Sequence, residues 1–315
     1  MMNNFNKILK NKPLIVLIAT SAAIAFLNTR FLSWSNILTV LRQTSINAII
    51  ATGMTFAILI GGIDLSVGSV LGLCGAIAAT MVSSGTNVVL AVLTALVLGT
   101  AIGYLNGTLI TTGGLQPFIA TLGTVTLLRG AILVFTQGRP ISTGNTPSSE
   151  YFSEIGTGFL GPIPIPVYIM ILVFIVAYYI LNHTRIGRYI YATGSNEEAT
   201  MYSGIKTARV KRFVYAISGM MAALAGILLT ARLGSAQPTS GAGYELDAIA
   251  AVVLGGTSMA GGIGTIGGTA IGALIIGVLN NALNLMKVSS YYQDVAKGIV
   301  ILIAVLLDRK QKSSR

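Results

Sequence analysis

The feature that most restricts this chain is a succession of apolar runs, each long enough to cross a bilayer, joined mostly by short connectors. Runs of spanning length, ~17–25 residues each, cover 13–30, 44–60, 65–83, 87–111 and 117–136. After a long connector come 166–182, 211–232, 246–259, 264–284 and 291–308. A backbone in hydrocarbon must satisfy every N–H and C=O internally, and runs of this length do so as helices. The expected fold class is therefore an all-α polytopic membrane protein with about ten transmembrane helices, one transmembrane domain over residues 1–315. The 246–259 run is short for a span and reads as broken or re-entrant.

Composition supports this. Only 9% of the 315 residues are charged and mean hydropathy is +0.79, where a soluble domain carries ~25% charged residues. The net charge of +11 does not indicate nucleic acid, because the cations are clustered. Lys7, Lys10 and Lys12 stand at the start, six more lie between Arg185 and Arg212, and Arg309, Lys310, Lys312 and Arg315 end the chain. Such clusters mark cytoplasmic faces. With ten spans and an inside start, both termini are cytoplasmic, and thirteen of the 20 basic residues fall on that side. The lipid bilayer is thus the first expected partner. A basic start, an apolar stretch from Leu14 and the small residues Ser21-Ala22-Ala23 also fit a secretory signal; with membrane segments following throughout, an uncleaved first span is simpler.

Catalytic and cofactor chemistry finds little support. Cys74 is the single cysteine and His183, at a span end, the single histidine, so no metal site or disulfide can be assembled. No phosphate-binding G-x-x-x-x-G-K-[ST] occurs, and no Ser–His–Asp set. Gly262-Ile-Gly264-Thr-Ile-Gly267 matches a dinucleotide fingerprint, but the acidic residue expected ~20 positions on is missing, the next carboxylate being Asp294. No cofactor is expected. Small residues recur every fourth position at Gly68/Gly72/Ala76, Gly99/Gly103/Gly107, Ser218/Ala222/Gly226 and Gly264/Gly268/Gly272. On helices these stripes let backbones approach closely and predict a dense bundle.

Two connectors stand out. The 137–166 segment holds five of the eight prolines and falls outside; a connector this long suits a docking role. The 183–210 segment is the one long polar, basic island, on the cytoplasmic side. Ser195 precedes Glu198 by three residues, the spacing of a capping box, and Glu197 and Glu198 put negative charge on the first turn. Gly204 sits where a helix needs a left-handed residue to stop. A short capped helix is expected there, a handle for a soluble partner.

Glu198-Ala199-Thr200, three residues and then Gly204 resembles the EAA–G coupling loop of ABC-importer permeases, with Thr200 replacing the second alanine. The run Gly194-Ser195-Asn196-Glu197-Glu198-Ala199, ending in Ser203-Gly204-Ile205, is similar to the version in the ribose-type sugar permease family. Further matching stretches lie at 44–48 (TSINA), 61–69 (GGIDLSVGS), 116–122 (QPFIATL), 129–130 (RG), 235–238 (SAQP), 243–258 (GYELDAIAAVVLGGTS), 280–281 (NN) and 289–293 (SSYYQ). The resemblance covers about residues 40–308. It implies a fold like the vitamin B12 importer permease and a homodimer in the bacterial cytoplasmic (inner) membrane. It also implies a tandem-cassette ATP-binding subunit docked on Ser195, Asn196, Glu197, Glu198, Ala199, Thr200, Gly204 and Ile205, and an extracytoplasmic sugar-binding protein. ATP hydrolysis then belongs to the partner, and this chain is a non-catalytic transport subunit for ribose or a related monosaccharide.

A sugar path needs uncharged hydrogen-bonding groups. Asn280 and Asn284, four apart on one helix face, and Asn47 with Gln43 and Thr44 are candidates, although Asn in a span is often interhelical glue. Asp64, between Gly61-Gly62-Ile63 and an apolar run, admits two readings, a helix N-cap and a functional membrane carboxylate; Asp247 admits the same cap reading. Arg129 and Asp294 are a possible buried pair. The rival to ATP drive is a secondary sugar transporter using an ion gradient through Asp64 and Asp294. Trp34, Tyr291 and Tyr292 fit an outer aromatic belt, and Tyr178, Tyr179, Tyr189 and Tyr191 an inner one.

Overall fold

The apolar runs become helices whose ends are set by capping side chains, proline and glycine. A computed structural model of the chain describes residues 12–289, 291–293 and 295–299. Five helices come first: α1 (Lys12–Leu27), α2 (Trp34–Leu59), α3 (Val67–Ser83), α4 (Val88–Thr111) and α5 (Pro117–Thr136). The long connector contains α6 (Pro147–Thr157), followed by α7 (Ile165–His183), α8 (Arg185–Ser195), α9 (Glu197–Tyr202), α10 (Thr207–Leu233), α11 (Tyr244–Leu254) and α12 (Ile266–Leu285). Two-residue strands β1 (Ile141–Ser142) and β4 (Ser235–Ala236) pair antiparallel, as do β2 (Phe159–Leu160) and β3 (Ile163–Pro164). Ser33, Asn87, Thr146, Thr184 and Thr265 cap their helices by accepting a backbone N–H, satisfying donors that would otherwise face nonpolar surroundings. Lys7, Lys10, Asp294, the end of the 291–308 run and the basic residues from Arg309 on lie outside the described residues.

Among the described residues, α4, α5, α7, α10 and α12 are long and apolar enough to cross a membrane. With α2 equally long, this is an all-α, multi-pass membrane protein. The lipid-facing sides of α4, α5 and α7 are rich in exposed Leu, Val and Phe, such as Val97, Leu127, Val134 and Leu172. By contrast, α10 is buried along most of its length and packs most extensively on α4, then on α2 and α3. The small-residue stripes make this possible. Gly99 and Gly103 lie on the backbone of Gly219 and Tyr215, and Gly226 on that of Leu71. Gly268 and Gly272 meet Gly255 and Ala251, and Gly68 and Gly72 meet Gly241 and Ser240. Nothing drives apolar helices together in lipid except packing and polar contacts, so such backbone approaches supply much of the cohesion.

Two elements differ from expectation and a third agrees with it. Helix α2 begins at Trp34, ten residues before the apolar run, where the Ser33 side chain caps it by accepting Asn36 N–H; beyond that half-exposed start, every residue from Thr44 to Leu59 is buried. The 137–166 segment is not irregular throughout, since the Thr146 cap, Pro147 in the first turn and Glu150 together start α6. The 246–259 run is the 11-residue α11, ended by a turn with positive φ at Gly256, Gly261 and Gly262, in keeping with the broken reading. The connections 60–66, 184–206 and 255–265 gather at one end of the bundle, where Gly262 donates to Leu59 O at 2.8 Å. At the other end, Thr146 Oγ1 donates to Val82 O, and Thr143 N to Gly234 O.

Candidate functional site

A cavity of about 260 Å³ opens within the bundle. Gln43, Thr44 and Asn47 reach it from α2, Arg232 from the end of α10, and Tyr244 and Asp247 from α11. Gly277, Asn280 and Asn284 of α12 form another wall, with Gln293 and Lys297 beyond. It is smaller than the ~300–1,000 Å³ usual for drug-sized ligands, a scale suited to one small molecule. Gly277 is needed where it stands, because a side chain there would overlap the Thr44 hydroxyl.

The three asparagines of α12 divide as helical geometry dictates. Asn280 and Asn284, one turn apart, face the cavity, while Asn281 turns away and exchanges hydrogen bonds of 3.0 and 2.9 Å with Asn36. That pair fixes α12 against α2. Lys297 Nζ lies 3.2 Å from Asp247 Oδ2, to which Asn280 Nδ2 also donates at 3.5 Å. Gln293 Nε2 donates to Asn284 Oδ1 at 2.9 Å. Three polar atoms on the walls, Thr44 Oγ1, Asn47 Oδ1 and Asn280 Oδ1, are buried without a hydrogen bond from the described residues. Each costs about 1–3 kcal/mol in that condition. A hydroxyl both donates and accepts, so a polyol is well matched to such a wall.

Asp64 is not part of this cavity. It is fully buried beside the first turn of α3, and its Oδ1 accepts from Ser66 N at 3.0 Å and Ser66 Oγ at 2.6 Å. The chain of bonds continues from Asn106 Nδ2 to Ser66 Oγ (2.9 Å) and from Thr124 Oγ1 to Asn106 Oδ1 (2.6 Å). Ser218 and Tyr215 of α10 stand beside the same carboxyl. The cap reading needs correction in its detail: Ser66 occupies the N-cap position, and Asp64 holds it through a turn two residues earlier. Asp247 is no cap either, since Gly243 at φ +86° begins α11 and Asp247 lies in its first turn. Arg129 is 3.8 Å from Glu245; the expected pairing with Asp294 lies outside the described residues.

The polar island forms the expected short helix, with its start moved by one residue. Ser195 ends α8, and Asn196, extended at φ −159°, caps α9 by accepting Ala199 N–H at 2.9 Å. The Ser195–Glu198 box therefore does not form, because the chain breaks at Asn196 and only a residue at the break can cap. Glu197 pairs with Lys211 at 2.6 Å. Thr200 is buried and donates to Asn196 O. Gly204 has φ +81° and donates to Met201 O, while Ile205 N donates to Thr200 O, the paired bonds of a Schellman ending. Glu198, Ala199, Met201 and Tyr202 are exposed, and an open cavity of about 560 Å³ lies alongside, between Ile186, Tyr189, Ile205, Lys206, Arg209 and Phe213.

Sequence reasoning missed Arg232, Tyr244, Asp247, Gln293 and Lys297 as cavity residues; charge and amide groups inside apolar runs were the available signal. Nor does sequence show that the hydroxyl of Tyr191, a residue suited to the inner aromatic belt, donates to Gly264 O at 2.8 Å.

The family model described as branched-chain amino acid transport system / permease component matches residues 36–305. The ribose import permease protein of Haemophilus influenzae is 57% identical over 301 residues, 96% of this chain and 93% of that protein. Its counterpart in Escherichia coli K12 is 53% identical over 305 residues, 97% of this chain and 95% of that protein. The D-allose transport system permease protein of the same strain is 42% identical over 280 residues, 89% and 85% of the two chains. No solved structure matches this chain.

Proposed function

The chain belongs to the permease family of these transport systems, and from that premise we propose that it is the membrane subunit of an ATP-driven importer for ribose or a related monosaccharide. The observation that carries the reading is identity above half, along nearly the whole chain, to ribose import permeases, against 42% to the D-allose protein. It is a non-catalytic transport subunit, multi-pass in the inner membrane. Two copies of ten spans each, arranged as in the vitamin B12 importer, form the transporter, with both termini cytoplasmic. A tandem-cassette ATPase docks on the exposed α9, and a sugar-binding protein docks at the opposite end, which carries the 137–166 segment.

In this reading the sugar passes the cavity at Asn47, Asn280 and Asn284. Its hydroxyls satisfy wall atoms that lack partners among the described residues. Asp64 does not line that cavity, and its Oδ1 belongs to a hydrogen-bonded network, so this reading assigns it to cohesion rather than passage. The ion-gradient alternative through Asp64 and Asp294 would need Asp64 in the pathway.

The test is uptake of labelled ribose by cells carrying this chain with an ATPase and binding protein of the same system. Ion gradients are collapsed while ATP is held constant, and Gly204→Asp is run beside the parent. Uptake that survives the uncoupler and fails in Gly204→Asp is expected. Uptake that fails with the uncoupler and ignores the substitution would sink the ATP reading.

A further inference from the structure

The loop that carries α9 and the helices that wall the cavity meet at one turn, residues 255–265. On the loop side, Tyr191 Oη donates to Gly264 O at 2.8 Å. Gly194 lies directly on the backbone of Leu59 and Gly262, and a side chain on Gly262 would overlap Ser195. Ser195 is the last residue before the Asn196 cap of α9. On the cavity side, the turn joins α11, bearing Tyr244 and Asp247, to α12, bearing Gly277, Asn280 and Asn284.

The hardware for motion is present as well. Helix α11 is 11 residues long, with positive-φ glycines near both ends, Gly243 at φ +86° and Gly256 at φ +86°. Short stretches that absorb backbone rotation at each end let an element move as a rigid unit. Its contacts with α12 include the close approaches of Gly255 to Gly268 and Ala251 to Gly272, where small groups let the two backbones lie side by side. Among the described residues, the side-chain hydrogen bond from α8 to the turn is that of Tyr191. Burial raises the phenol's pKa above its ordinary value, so it remains a donor throughout the physiological range.

We propose that Tyr191 is the positioning residue that ties the loop to the cavity: its hydroxyl holds Gly264, so a push on α8 and α9 is delivered to the 255–265 turn. Helix α11 then shifts between its glycine ends and moves Asp247 against Asn280 and Lys297 at the cavity wall. This rests on the proposed reading of the loop as the ATPase contact. The turn's glycines, which mimic a nucleotide fingerprint, serve to let two loops touch backbone to backbone.

The experiment replaces one hydroxyl, Tyr191→Phe, in the full chain. In proteoliposomes with ATPase and binding protein, ATP hydrolysis is expected to persist while labelled ribose taken up per ATP falls roughly 5-fold or more, the lower end of usual coupling effects. A role in folding alone would lower hydrolysis and uptake together, and that result overturns the proposal, as does an unchanged ratio. A second measurement needs no partner and no sugar. Amide exchange of residues 255–265 in the purified chain is expected to speed up in Tyr191→Phe while α10 stays protected. Unchanged exchange there shows that the hydroxyl does not hold the turn. A parent chain without ATP-driven uptake would instead strike the functional reading, and the exchange result would still decide the tie.

Discussion

Asp64 and Asn280 are both polar groups sunk among apolar helices, yet their surroundings differ in kind. Asp64 ends a run of hydrogen bonds through Ser66, Asn106 and Thr124, with Ser218 and Tyr215 crowding its other side. Asn280 bonds Asp247 with its amide while its carbonyl oxygen faces a cavity without a partner among the described residues. The first arrangement joins the α2–α3 turn to α4, α5 and α10. The second lines a cavity; the first does not, although Asp64 Oδ2, Ser218 Oγ and Tyr215 Oη are likewise buried without a hydrogen bond from the described residues. A buried polar residue in a membrane protein is thus evidence of passage only when space adjoins it; without space it holds the helices together.

The comparison can be broken at its strongest point first. Asp64→Leu strands the Ser66 N–H and Oγ–H, and at about 1–3 kcal/mol for each stranded group the folded, membrane-inserted fraction is expected to collapse in a fluorescence-detected gel-filtration assay. Asp64→Asn keeps the shape and acceptor oxygen and should retain ribose uptake; loss of uptake with a folded chain would move Asp64 to the pathway side. Asn280→Ala should do the reverse, leaving the elution profile intact while uptake falls roughly 3- to 10-fold, the equivalent of one ordinary hydrogen bond. If the profile collapses instead, Asn280 is glue like Asn281. The smallest effect is expected from Thr44→Val. Removing a buried hydroxyl without a partner should raise the thermal midpoint slightly and weaken uptake by roughly 3-fold or less, and a lower midpoint would place Thr44 in the cohesive class.

The loop and the bundle were legible to different degrees. Gly204 could be read as a helix stop because only a left-handed residue ends a helix with paired bonds, and its φ of +81° fits. The start was harder. Ser195, Asn196 and the residues after them all suit a cap, and which one serves depends on where α8 ends, which its packing against Leu59 and Gly262 decides. Helix α2 is longer than its apolar run because Asn36, Arg42 and Gln43 interrupt an apolar pattern without interrupting a helix. The pairing of Asn280 with Asn284 followed from helical period alone. Their meeting with Asn47, more than 230 positions away, did not.

What the sequence determined by itself is what local rules control: helices from runs too long and too apolar for anything else, a stop at Gly204, close seams wherever small residues recur every fourth position, and a polar island kept out of lipid. Only the tertiary structure decided which polar groups share a space and which share a bond. Asp64 and Asn280 sit in similar apolar sequence, and no periodicity distinguishes them. The distinction arises because α10 closes over one and the short α11 leaves room beside the other, and burial by distant segments is a property of the assembled helices rather than of any window of residues.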